Sequence, residues 1–94
     1  RQPGIFVGVA DMENGTMRIA TIGILVQDRA VADKVNEILS RHGDVIRGRL
    51  GIPFRDEGVS VISVVIEADA DRIGAINGAL GNIPGVKVRS AMLR

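Results

Sequence analysis

Beyond Met17 the chain switches between a two-residue and a helical apolar period in a fixed order, and that order restricts the possible folds severely. Arg18 to Val26 reads as a strand. Ile22, Ile24 and Val26 share one face, while Ile19, Thr21, Gly23 and Leu25 share the other. Both rows are apolar or small, which marks a central strand. Gln27-Asp28 ends it, with Asp28 placed to cap the next segment through its carboxylate. From Arg29 to His42 the period becomes helical: Val31, Val35, Ile38 and His42 form a stripe with Leu39 beside it. Asp33, Lys34, Glu37 and Arg41 take the other side, and Gly43 is expected to be a left-handed stop.

The second half repeats the plan with one strand more. Val45 to Ile52 alternates, with Ile46, Leu50 and Ile52 in one row and Val45, Arg47 and Arg49 in the other. This one-sided character predicts an edge strand closed by Pro53, which has no N–H for a ladder. A loop over Phe54–Gly58 turns the chain into Val59–Glu67, a second central strand apolar on both faces. Asp69 or Asp71 caps a helix over about Ala70–Leu80, with Ile73, Ile76 and Leu80 toward the sheet. Gly81–Gly85 ends that helix and starts the last strand, Val86 to Leu93. The order β-α-β-β-α-β is the split-βαβ, or ferredoxin-like, arrangement. It predicts an α+β sandwich: a four-stranded antiparallel sheet carrying both helices on one face, because both crossovers should be right-handed.

Residues 1–16 read as an N-terminal extension to a domain over residues 17–94. Ile5–Ala10 is expected as an extra edge strand, with Glu13-Asn14-Gly15 as a turn. The alternative is a cloning remnant or an upstream start, since Met17 would make a natural first residue.

At 94 residues the chain makes one small domain whose core is helped by association. Twelve Lys and Arg against 11 Asp and Glu leave a net charge of +1, which selects no polyanionic partner. Without Cys there is no disulfide framework, thiolate metal site or Cys nucleophile. No apolar run reaches the ~20 residues needed to span a bilayer, so no membrane role is expected and a cytoplasmic location is the default. The sheet face away from the helices should carry Ile19, Leu25, Val59, Val61 and Val65. Left bare, that would be an unusually large apolar patch, so a homo-oligomer, dimer or tetramer, is expected.

Several segments together resemble the ACT-like family of iron-only hydrogenase system regulators. They are Ile22-Gly23-Ile24-Leu25-Val26-Gln27-Asp28-Arg29, Val35-Asn36-Glu37-Ile38-Leu39 and Gly48-Arg49-Leu50-Gly51-Ile52-Pro53. Ile73 to Gly81 and Ile83 to Val88 are similar to the same family's second helix and last strand, so the resemblance spans residues 17–94 in unbroken order. It implies an ACT-like ferredoxin fold, oligomerisation and a regulatory role proposed for hydrogenase systems. ACT domains proper commonly bind amino acids near subunit interfaces through a glycine-containing turn after the first strand. The turn here, Val26-Gln27-Asp28-Arg29-Ala30, has no glycine.

Candidate effector contacts are Gln27, Asp28 and Arg29 at the strand-to-helix turn, where free N–H groups attract anions. Asp28, as a cap, would also fill and repel at that place. Arg47 and Arg49, like Lys87 and Arg89, lie two apart on a strand and could frame an anion site at the rim of the open face. The competing structural reading is that cations on edge strands guard against aggregation. His42 is the single histidine and favours a dipole-complementing place at a helix end over a metal site. Gly74 and Gly78, four apart in a helix, suit the close approach of another backbone. None of Ser40, Ser60, Ser63 or Ser90 has an evident His–carboxylate partner, so no enzyme and no cofactor is expected.

The expected function is a non-enzymatic regulatory binding module that senses a small effector or engages a partner protein. One alternative is nucleic-acid binding, weakened because RNA-recognition sheets stack bases on aromatics and the central strands here have none. The other is a purely structural oligomerisation domain.

Overall fold

In the computed structural model, which describes residues 16–94, the strands are β1 (Arg18–Val26), β2 (Ile46–Phe54), β3 (Val59–Ala68) and β4 (Val86–Met92). Helices α1 (Ala32–Arg41) and α2 (Ala70–Gly81) join them, with a single 3-10 turn at Arg29–Val31 ahead of α1. The sheet order is β2-β3-β1-β4 and every neighbouring pair is antiparallel. This is the ferredoxin-like topology expected from the segment order. The proposed strand over Ile5–Ala10 lies outside the described residues.

Period-two alternation decides which side of the sheet each residue serves. Ala20, Ile22, Ile24 and Val26 of β1 stand opposite Ile66, Val64, Ile62 and Ser60 of β3. The apolar members of these rows are buried under Val35 and Leu39 of α1 and Ile73, Ile76 and Leu80 of α2. Both helices therefore share one face. Each such side chain removed from water contributes about 1.5–3 kcal/mol, so the core rests on these few rows. Val45 and Ile83, just ahead of β2 and β4, belong to the same buried core.

The helix ends follow from short-range chemistry. Asp28 accepts from the Ala30 N–H at 2.9 Å and Asp69 accepts from the Arg72 N–H at 2.8 Å. Both satisfy donors that a first turn leaves free. The exit of α1 departs from expectation. Gly43 does not adopt the left-handed conformation, which among the described glycines occurs at Gly58 and Gly85. Instead the chain unwinds through consecutive tight turns, Gly43 N–H to Ser40 O, Val45 N–H to His42 O and Ile46 N–H to Gly43 O. Bonds of this i to i−3 type satisfy the terminal carbonyls without a positive φ.

Strand β2 also departs from its predicted rows. Ile46 stands opposite Ile66 but Gly48 stands opposite Val65, so Arg47 is an extra residue in a bulge. One extra residue inverts the alternation beyond it. Ile46 packs on the helix side, whereas Leu50, Ile52 and Phe54 share the open face with Val59, Val61 and Val65. Leu50 is 60% exposed and Phe54 44%. The open face is thus broader and more apolar than its sequence rows suggested. Pro53 does not close the strand: β2 continues to Phe54, tolerated because β2 is an edge. Among the described residues no helix is long and apolar enough to cross a membrane.

Candidate functional site

Because β2 is an outer strand and almost wholly exposed, a groove remains between it and α1. The residues facing each other there are small or polar: Ala32 and Asn36 from α1, Arg49 and Gly51 from β2. The large side chains of α1, Val35 and Leu39, are spent on the buried core. A Cβ added at Gly51 would meet nothing within 4 Å, so the groove is open space.

The groove has a volume of about 410 Å³, with a floor of Val26 and Ile62 and a rim at Ile52, Pro53, Ser60 and Val61. A second hollow of about 420 Å³ adjoins it at the hairpin between β2 and β3 and shares Arg29, Pro53 and Ser60 with it. Phe54, Arg55, Gly58 and Val59 complete that second hollow. Volumes of this order suit small molecules.

Three arginines line these two hollows: Arg29 from the turn before α1, Arg49 from β2 and Arg55 from the hairpin. No carboxylate lines either one. Arg49 donates through Nη2 to the Asn36 side-chain oxygen, which anchors its guanidinium at the groove wall. Among the described residues the salt bridges are Arg41–Glu37, Arg47–Glu67 and Arg72–Asp44, so Arg29, Arg49 and Arg55 have no carboxylate partner. Each guanidinium offers donors only. The arrangement can receive acceptors, and oxyanions best.

The sequence candidates separate in space. Arg29 and Arg49 reach the same groove although they belong to different elements. Arg47 does not line it: its Nε donates to Glu67 Oε1 at 3.1 Å and its Nη1 to the Asp44 carbonyl at 3.0 Å. The bulge is what parts Arg47 from Arg49. Gln27 and Asp28 do not line it either. The Gln27 N–H donates to the Gly85 carbonyl at 2.8 Å, packing the first turn against the one before β4. Gly85 has φ +85°, and a Cβ there would come within 2.9 Å of the Asp28 Cβ. Sequence reasoning missed Asn36, Arg55 and Ser60. The resemblance included Asn36 and Ser60 was weighed only as a nucleophile, while nothing local marks a hairpin arginine as part of a site built mainly elsewhere.

Ser60 lines both hollows with neither an imidazole nor a carboxylate among its companions, so it lacks the partners that activate a hydroxyl. His42 instead sits beside Arg72, 3.4 Å from its Nε. Lys87 and Arg89 stand on the open face of β4, opposite Leu25 and Gly23. Gly74 and Gly78 are exposed, with nothing within 4 Å of an added Cβ, so among the described residues no other backbone approaches them. No group of three His, Cys, Asp or Glu able to hold a metal occurs among the described residues.

The TM1266-like family model, described as "Iron-only hydrogenase system regulator, putative", matches residues 18–90. Among solved structures, the uncharacterized protein TM1266 from Thermotoga maritima is 39% identical, with a TM-score of 0.80 over 84% of this chain and 100% of that one. An unknown protein from Galdieria sulphuraria is 14% identical, with a TM-score of 0.64 over 84% of this chain and 46% of that one. The latter likeness speaks for the fold alone. No curated protein matches the chain.

Proposed function

This chain belongs to the TM1266-like family of iron-only hydrogenase system regulators, and from that premise we propose that it is a non-enzymatic sensor module. In this reading a small effector occupies the groove between α1 and β2, and a second copy of the chain covers the open sheet face. The observation that carries the reading is the groove itself: an apolar floor, cationic walls and no pair of groups suited to general acid–base or nucleophilic work.

Strand β2 offers a physical route from effector to assembly. Residues of this one exposed strand serve both surfaces, with Arg49 and Gly51 lining the groove, Leu50 on the open face, and Ile52 and Phe54 touching a hollow from the open-face row. A ligand that fixes β2 on one side therefore alters the association surface on the other. Such coupling requires the ligand to bind one arrangement of β2 more tightly than another.

A thermal-shift screen over a metabolite library, paired with sedimentation velocity, tests this reading. The expected result is a saturable rise in Tm by at least one metabolite, together with a change in sedimenting species. A ligand present at a hundred times its Kd stabilises by about 2.7 kcal/mol, which such a screen resolves. A library-wide absence of any saturable shift would remove the sensing role and leave only a structural assembly domain.

A further inference from the structure

Resting on the reading of the groove as an effector site, we infer that its ligand is a small organic oxyanion, a carboxylate or phosphate ester carried on an apolar body. The charges come from three separate elements, Arg29 before α1, Arg49 on β2 and Arg55 on the hairpin, converging on two adjoining hollows. With no carboxylate in either lining to compete for them, these donors are left for an anionic ligand. Edge-strand protection accounts for a cation on β2. It does not account for Arg29, which lies off the sheet, or for Arg49 being tied to Asn36 on the groove wall.

The remaining lining sets the rest of the ligand. Val26, Ile62 and Pro53 supply an apolar surface that a bare inorganic ion would leave unused. Ser60 adds a hydroxyl, able to donate or accept, where the two hollows meet. No acceptor carboxylate is present to recognise an ammonium group, so amines of similar size are disfavoured. Planar forked donors match carboxylate and phosphate oxygens in pairs, which a lysine-lined site would not do.

The test is calorimetric titration of the whole chain with five probes at constant ionic strength: inorganic phosphate, glycerol 3-phosphate, hexanoate, adipate and hexylamine. At least one organic oxyanion should bind saturably, more tightly than inorganic phosphate, while hexylamine should not bind. Which probe wins separates a phosphate ester from a carboxylate. Arg49→Gln and Arg29→Gln should each weaken binding about tenfold or more, the scale of one charge-assisted hydrogen bond, with the ligand-free Tm unchanged. Lys87→Gln with Arg89→Gln, on the other sheet face, should leave affinity intact.

Equal loss in the Lys87/Arg89 variant would reduce the effect to unspecific charge and overturn the inference. So would an absence of saturable binding by every oxyanion. Gly51→Leu, which fills the groove without touching its charges, separates this failure from that of the sensor reading. If a neutral or cationic metabolite from the screen binds and Gly51→Leu abolishes it, the groove stands as an effector site and only the oxyanion class falls. If no ligand of any class binds there, both fall. Salt-steep binding of an oligonucleotide that Arg29→Gln and Arg49→Gln abolish would reassign the groove to a polyanion and likewise overturn it.

Discussion

Arg72 in the first turn of α2 forks onto Asp44 in the turn between α1 and β2, with Nη1 to Oδ2 at 2.9 Å and Nη2 to Oδ1 at 2.7 Å. The same guanidinium lies against His42, and the Arg72 backbone N–H is held by the Asp69 cap. One side chain thus fastens the end of one helix to the start of the other.

This clamp should make stability depend on acid in a specific way. The Arg72 hydrogen bond, assisted by its charge and opposed by partial desolvation, lowers the Asp44 carboxyl below its ordinary 3.8. A carboxyl whose folded pKa is depressed contributes stability above the unfolded pKa and loses it as pH falls through the folded one. Asp44→Asn should therefore melt below the parent at pH 6, with the gap closing as pH drops below about 4. Melting curves from pH 2.5 to 7 check this, and a gap independent of pH would contradict it.

Burial divides substitutions into costly and silent. Ile76→Ala, at a fully buried position under the sheet, should lose about 2–5 kcal/mol of unfolding free energy. Leu50→Ala, at a position 60% exposed, should stay within about 0.5 kcal/mol in the monomer. Urea denaturation of both variants measures the contrast.

Two glycine substitutions should have opposite signs. Gly85→Ala combines a left-handed backbone with a contact on Asp28, so it should destabilise by more than about 1 kcal/mol. Gly74→Ala, inside α2 with open space around it, should stabilise by about 0.5–1 kcal/mol. A loss of stability in Gly74→Ala that appears only at high protein concentration would mean that another chain docks on that helix.

The apolar open face should drive association at micromolar concentration. Leu50→Lys with Val65→Lys places two charges on the surface that a second copy would cover. Sedimentation velocity should then give a monomer, with an unchanged circular dichroism spectrum, where the parent gives a larger species. A monomeric parent at the same concentration would rule out self-association as the purpose of this face.

Local chemistry was readable from the residues alone. Alternation placed β1 and β3 at the centre, the Val35–Leu39 and Ile73–Ile76–Leu80 stripes marked the buried helix faces, Asp28 announced the 3-10 turn ahead of α1 and Asp69 the start of α2. Each depends on neighbours within about one helical turn or one strand repeat, so a short window of residues suffices. Family membership was legible for the same reason, since it is carried by such windows in order.

Pairing between distant segments decided the rest. The bulge at Arg47 exists because β2 must register against β3, and it alone sends Leu50 and Ile52 to the open face and parts Arg47 from Arg49. The meeting of Arg29, Arg49 and Arg55, and the grip of Arg72 on Asp44, depend equally on where packed elements end. Strand register and helix docking minimise the free energy of the whole sheet and core at once. A residue's own neighbours therefore carry no record of which remote charge it will face.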